Sequence, residues 1–562
     1  MADKMTGGQA LARSLIKMGA ARVYGIIGTS NIGFVDALYE VRDRLRYVSC
    51  RHEQVAASMA DAEGRLTGVP GVALVHSGPG ALNAMISAGN AYKDSSPLMI
   101  ITGAVKRRLT RSDGMLELDH LHIFAPLCKG TYRAESASDI TEIFSQAYQA
   151  AMSGSRGPVL IEVPEDVWLE AGKVDLDGMR LEVDPPPAVR REDVRDAINL
   201  IRNARLPLIL SGGGVSYSRS SDILIRFAEA LEVPVITTGN GRGTIPESHR
   251  LCLGRAGFGG GTPVADRALE RADALLCLGA GVSDMTTYEF TAPVGPENII
   301  VVNISPDCVA PQWPHARLVV SDVAGFIAHA LDALANTTTR ENPDWVETLS
   351  EDRAAWNEMR EASLNRSGDR PSCGRVVSGI AKRLPDDTIV SVGAGMHLLF
   401  PMAFMPCNHP LTFLSTVNFG SMGFGFAACM AAQLIYPERQ AVSIIGDGDF
   451  MMTVQDLETA VRERIPVKVF VLNDRQYRVL NVRQKLQFQG RVYGTDHGNP
   501  DLAMLAKSFG AAGYTLERPD QVDEVLDAAV KDEKPVVVDV MIDPEDLPPM
   551  NIEANLRMSA AG

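Results

Sequence analysis

The chain has 562 residues, too many for one hydrophobic core, so two to four domains are expected. Its 46% hydrophobic and 22% charged residues are ordinary for a globular protein, and a net charge of −15 argues against nucleic-acid and anionic-membrane partners. No apolar run is long enough to span a bilayer, and the 8 scattered cysteines, with no C-x-x-C pair, read as buried thiols in a reducing, cytoplasmic setting.

Residues 1–19 read as an amphipathic helix, without the apolar run or cleavage site of a signal peptide. Apolar strand candidates follow at 22–27, 47–50, 72–76, 98–103 and 159–163, separated by helix-length segments. Asp184-Pro185-Pro186-Pro187 opens a linker that runs to 191. A second series has strands at 206–210, 233–237, 274–278 and 299–304. The polar stretch 336–372 is the next connection; its sequon Asn336-Thr337-Thr338 is idle without secretion. A third series has strands at 388–392, 442–445, 467–472 and 537–541. The expectation is an α/β protein of three domains (1–180, 190–340 and 365–550), each a parallel sheet flanked by helices.

The third series carries the most specific pattern. An apolar strand ends in Gly446-Asp447-Gly448-Asp449, and after a helix at 454–465 closed by Pro466, the next strand ends in Asn473-Asp474-Arg475-Gln476. Glycines let backbone approach a ligand closely, and strand carboxyl ends are where open α/β sheets bind ligands. Two such ends offering oxygen ligands suit a hard cation such as magnesium, with phosphate oxygens completing its shell.

With these motifs the sequence resembles the thiamine-diphosphate enzyme superfamily over nearly its whole length, nearest to the acetolactate synthase and pyruvate oxidase branch. The resemblance implies that Asp447 and a residue at the next strand end hold magnesium, which holds the diphosphate. The usual asparagine falls on Asp474 rather than Asn473, and the third ligand is the main-chain carbonyl of Gln476. Gly420-Ser421-Met422-Gly423 resembles the element whose bulky residue, here Met422, wedges between the two rings of the cofactor. Gly393-Ala394-Gly395-Met396 and the glycines around Asp447, with Asp449, are implied to meet the cofactor through Gly395, Met396, Gly420, Gly446 and Gly448.

In the first domain, Arg51-His52-Glu53 resembles the element whose glutamate hydrogen-bonds a pyrimidine nitrogen and drives the proton relay, making Glu53 the catalytic acid. Ser77-Gly78-Pro79-Gly80 with Asn83 resembles the turn beside the pyrimidine, so Pro79 and Asn83 are expected cofactor contacts. His120 is expected to be a catalytic residue beside Glu53 and, with His76, to make polar contact with substrate. Lys106, Arg107, Arg108 and Arg111 read as a solvated basic turn or an anion contact. Leu116 stands where many relatives carry glutamine, and residues 477–493 are expected to cover the site. In such enzymes the cofactor lies between the first domain of one subunit and the third of another, so a homodimer or homotetramer is implied.

The middle domain has glycine turns at Gly212-Gly213-Gly214 and Gly279-Ala280-Gly281 that could cradle a nucleotide. Val282-Ser283-Asp284-Met285 lacks the arginine and paired aspartates of acetolactate synthases, which argues against FAD. The implied activity is thiamine-diphosphate- and magnesium-dependent decarboxylation or carboligation of a 2-oxo acid. The alternatives are an acyl-CoA lyase or decarboxylase of the same superfamily, and a non-catalytic nucleotide-binding relative or a flavin oxidoreductase.

Overall fold

The computed structural model describes residues 3–258, 260–292, 298–309, 313–335 and 343–550. The sequon at Asn336 lies outside them.

Three parallel six-stranded sheets follow one another along the chain. From edge to edge the first runs Arg46–Ser49, Arg22–Gly25, Gly71–Val75, Leu98–Ala104, Pro158–Pro164 and Gly130–Arg133. The second runs Cys252–Arg255, Val235–Thr237, Pro207–Ser211, Ala274–Leu278, Ile299–Asn303 and Arg317–Val320. The third runs Phe413–Leu414, Ile389–Ser391, Ala441–Gly446, Lys468–Asn473, Val536–Met541 and Ala512–Leu516. Helices cover both faces, so Leu98–Ala104 and Pro158–Pro164 are buried at every position, the reason such strands read as apolar runs.

The chain starts differently from the expected helix. Asp3–Thr6 is a strand, antiparallel to Ala171–Val174, and the helix begins at Gly7. Thr6 caps it, accepting from the Gln9 amide while Gln9 returns a bond to the Thr6 N–H, and this capping box sets the boundary. The segment expected as one helix at 454–465 is a 3-10 turn, Val454–Asp456, and a short helix, Leu457–Arg462. The stretch 336–372 is more than a connection. It contains the helix Pro343–Leu364, whose Trp345 is buried in the middle-domain core and donates to the Pro207 carbonyl at 3.0 Å. The proline-rich residues 184–187 are exposed and without regular structure, as a linker requires.

The first and third domains share a core. The helix Glu53–Thr67 is buried along nearly its whole length and packs against Phe424–Ile435, with Val55, Ala56 and Met59 in one cluster with Phe424, Phe426 and Ala428. This pair fixes the first-domain acid relative to the glycine loop that precedes Phe424.

Candidate active site

Ala441–Gly446 and Lys468–Asn473 are neighbours in the third sheet, with Gly446 opposite Leu472, so their carboxyl ends open side by side. The chain leaves Ile389–Ser391 toward one edge and returns at Ala441–Gly446 on the other side, which makes this a topological switch point. A cavity of about 200 Å³ lies there. Ten third-domain residues expected at the cofactor or cation line it: Gly395, Met396, Gly420, Met422, Gly446, Asp447, Gly448, Asp449, Asp474 and Gln476.

Asp447 is 2% exposed, and its recorded bonds all fall on Oδ2, from the Arg475 N–H at 3.0 Å, from His497 Nε2 at 3.0 Å and from Asn499. Among the described residues, none hydrogen-bonds to Oδ1. Asp474 accepts from the Gln476 N–H at 3.2 Å and lies 2.7 Å from Arg478 Nε. Burial pushes the Asp474 carboxyl up, Arg478 draws it down, and the charge of Asp447 adds to the rise. Asn473 faces elsewhere, with Nδ2 on Asp539 Oδ1 at 2.8 Å and Oδ1 accepting from Asn499. Of the two residues at this strand end, Asp474 lines the cavity and Asn473 does not.

The donors fit a divalent cation bound together with a diphosphate. Asp447 keeps an oxygen open, Asp474 shares its cavity, and no hydrogen bond to the Gln476 carbonyl is recorded. Among the described residues no group of three His, Cys, Asp or Glu side chains could hold a metal alone, so the remaining coordination has to come from a ligand. The cavity wall is made for close approach, since a Cβ on Gly448 would stand 2.7 Å from the Tyr477 ring. Asp449 lines the cavity but is engaged within the protein: its carboxylate accepts from the Gly423 N–H and lies 3.2 Å from His397 Nε2. It braces the loop carrying Met422.

On the first-domain side, Glu53 is 8% exposed at the start of its helix, capped by His52. Asn83 Nδ2 donates to its Oε2 at 2.9 Å, and a Cβ on Gly80 would stand 2.9 Å from its Oε1. Pro79 opens the short helix Pro79–Asn83. The adjacent Gln54 faces the third domain and donates to the Met422 carbonyl at 2.8 Å. Glu53, Pro79 and Asn83 do not line the third-domain cavity of the same chain.

His120, expected as a substrate contact, is held inside the first domain. It is 1% exposed; Nε2 accepts from the Gly78 N–H at 3.0 Å, so Nδ1 carries the proton, 2.5 Å from Glu162 Oε2. Both ring nitrogens are used within the protein, and the residue holds the Gly78 turn, whose φ of 66° requires glycine. His76 is half-buried and shares a hydrogen bond with Ser30 Oγ at 2.7 Å through Nδ1. Burial holds it below the usual histidine value, while the charge of Glu53 pulls the other way. Of the basic turn, Arg107 is paired with Asp166 at 2.8 Å. The covering segment begins at the cavity, which Tyr477, Val479 and Leu480 line, and Tyr493 at its end is exposed.

Sequence reading missed His497 and Asn499, which hold Asp447, and Arg478 beside Asp474. The polar run Asp496-His497-Gly498-Asn499-Pro500 directly after the covering segment is the signal that marks the first two. In the middle domain a second cavity of about 540 Å³ opens at the carboxyl ends of its strands, lined by Gly213, Gly214, Gly281, Asp284, Asp307 and Arg156 among others.

Comparison with known proteins agrees with this geometry. Residues 5–123 match the thiamine pyrophosphate enzyme N-terminal TPP binding domain, 194–334 the central domain and 393–540 the C-terminal TPP binding domain. The chain is 31% identical to the probable acetolactate synthase large subunit of Methanocaldococcus jannaschii, over 97% of this chain and 93% of that protein. It is 30% identical to the acetolactate synthase large subunit of Corynebacterium glutamicum, over 96% of this chain and 87% of that one. It is 28% identical to the acetolactate synthase isozyme 3 large subunit of Escherichia coli, over 98% and 97%. With all three domain types matched in order along one chain, this protein belongs to the thiamine pyrophosphate enzyme family and is a thiamine-diphosphate-dependent enzyme.

Proposed function

We propose that the chain decarboxylates a 2-oxo acid and joins the remaining acyl unit to a second carbonyl, using thiamine diphosphate held through magnesium. The observation that carries this reading is the convergence of Asp447, Asp474, Gln476 and Met422 on one cavity at the sheet's switch point. The acetolactate synthase relatives give the substrate class.

Asp447, Asp474 and the Gln476 carbonyl hold the cation, and the backbone at Gly395, Gly446 and Gly448 receives the diphosphate. Met422 would pack its flexible side chain against the cofactor's rings. The chemistry that the bound cofactor supplies is an electron sink at its thiazolium ring. Glu53 donates a hydrogen bond to the pyrimidine ring and moves its proton, and Asn83 holds that carboxyl in place. His76, with its ring fixed by Ser30, stands beside Glu53 on the substrate side.

Glu53 does not line the third-domain cavity of its own chain, which supports a site completed by a second copy. Exposed apolar side chains beside the acid, Leu82 and Ile86, suit such an interface. A homodimer is therefore the smallest active unit, with a homotetramer built from it.

The test is product analysis by mass spectrometry after incubation with thiamine diphosphate, magnesium and pyruvate, with Glu53→Gln as control. Acetolactate absent from the control supports carboligation, and acetaldehyde supports decarboxylation with release. Neither product would remove pyruvate as donor. The middle-domain cavity favours a second reading, an acyl-CoA lyase; it predicts that coenzyme A or ADP raises the melting temperature.

A further inference from the structure

The cavity presents two buried carboxylates, Asp447 and Asp474, to a cofactor that is itself anionic at its diphosphate end. One divalent cation neutralises only part of that charge. Among the described residues that line this cavity, one carries a guanidinium. Arg478, on the first turn of the helix Arg478–Gln487, has its Nε 2.7 Å from Asp474 Oδ2, with both side chains about 95% buried. The N–H is not aligned on the oxygen, so the contact is coulombic more than a directed hydrogen bond. Two carbonyls from a distant part of the chain hold the other end of the guanidinium, Nη1 on Asp546 at 3.1 Å and Nη2 on Asp543. It is thus locked in place and also lines the cavity.

We infer that Arg478 is a positioning residue that offsets the charge of Asp474 and thereby lets a cavity with two carboxylates accept a diphosphate. The inference rests on the reading of Asp447 and Asp474 as the cation site. It makes an asymmetric prediction. Removing the guanidinium adds net negative charge where the diphosphate sits, which weakens the cofactor. The same change does not weaken magnesium, because a neighbouring cation repels the metal. A role in packing alone would not separate the two ligands in this way.

The test is isothermal titration of the apo full chain with magnesium alone, and with thiamine diphosphate at saturating magnesium. Four proteins are compared: wild type, Arg478→Gln, Arg478→Lys and the double variant Asp474→Asn/Arg478→Gln. One unit charge at contact range of a partly screened site corresponds to about tenfold in affinity. Arg478→Gln is expected to bind thiamine diphosphate about tenfold more weakly while binding magnesium no more weakly than wild type. Arg478→Lys, which keeps the charge, and the double variant, which removes the need for it, are expected to recover most of the cofactor affinity. Wild-type cofactor affinity in Arg478→Gln, or a double variant as weak as Arg478→Gln, overturns the proposal alone. Cofactor binding by the wild type that does not depend on magnesium, or that survives Asp447→Asn, overturns the cation site and the proposal with it.

Discussion

Asn83 donates its side-chain amide to the Glu53 carboxylate at 2.9 Å, tying the turn after one strand of the first sheet to the helix that follows another. The bond leaves Glu53 one oriented oxygen with which to meet a partner. Glu53→Gln is expected to lower kcat by about 10²- to 10⁴-fold, the usual contribution of a positioned acid–base group. Affinity for thiamine diphosphate should change far less, since the diphosphate end is held by the third domain. Asn83→Ala keeps the acid but loosens its orientation, so its kcat should fall between the two. Steady-state rates beside cofactor titrations decide it; equal kcat in Asn83→Ala and wild type would show that the bond does not orient the acid.

His120 joins the Gly78 N–H to Glu162, and Glu162 in turn holds Arg133. His120→Ala leaves a buried N–H and a buried carboxylate without their partner, which costs about 1–3 kcal/mol for each group left unsatisfied. The expected result is a lower melting temperature and a reduced rate with an unchanged pH–rate profile, because the residue works through the position of the turn. Loss of one limb of that profile at an unchanged melting temperature would instead give His120 a proton-transfer role.

The strands legible in the sequence share a property. Nearly all are central, covered by helices on both faces, and so read as continuous apolar runs. Within the six-stranded sheets, the strands that escaped, Gly130–Arg133, Cys252–Arg255, Arg317–Val320, Phe413–Leu414 and Ala512–Leu516, each lie at an edge. Gly130–Arg133 is only half-buried along its length, and Arg317 pairs with Asp193 and Asp196 on a neighbouring helix, so these segments look like polar connections. The site divides in a similar way. Residues fixed by strand ends and glycine turns, such as Asp447 and Gly448, are visible because backbone chemistry forces local sequence. His497, Asn499 and Arg478 act through side chains that only the fold brings to Asp447 and Asp474. His120 was visible as a histidine beside the site, but its role depends on a bond to Gly78 that no local pattern encodes.

Asp456 links the first and third domains, accepting from the Arg51 N–H at 2.7 Å and from Thr459 Oγ1 at 2.8 Å. Burial pushes its carboxyl up from 3.8 to about 6, against the pull of those two hydrogen bonds. The folded chain therefore keeps a proton that the unfolded chain has released between about pH 4 and 6. Stability from this group is complete below the unfolded value and is lost as pH rises through about 6. Asp456→Asn retains an acceptor and cannot ionise. The difference in unfolding free energy between variant and wild type should move in favour of the variant from pH 4 to 7, by an amount on the order of 3 kcal/mol. A difference that is flat over that range would place the Asp456 carboxyl at its ordinary value.

The proposed site shared between two chains is open to a mixing experiment. On the proposed dimeric reading, Glu53→Gln would disable the acid that a chain lends to its partner, and Asp447→Asn the cation site it keeps. Each homodimer is expected to be inactive. A hybrid of the two holds one site with both defects and one with neither, because Glu53 of the second chain faces the intact cavity of the first. After unfolding and refolding of an equal mixture, half the dimers are hybrids with one working site each, so about a quarter of wild-type activity should return. An active site built within one chain gives no recovery at any ratio, since every chain then carries a defect in its only site. Recovery that follows the product of the two chain fractions, greatest at the equal mixture, establishes that the acid and the cavity come from different chains.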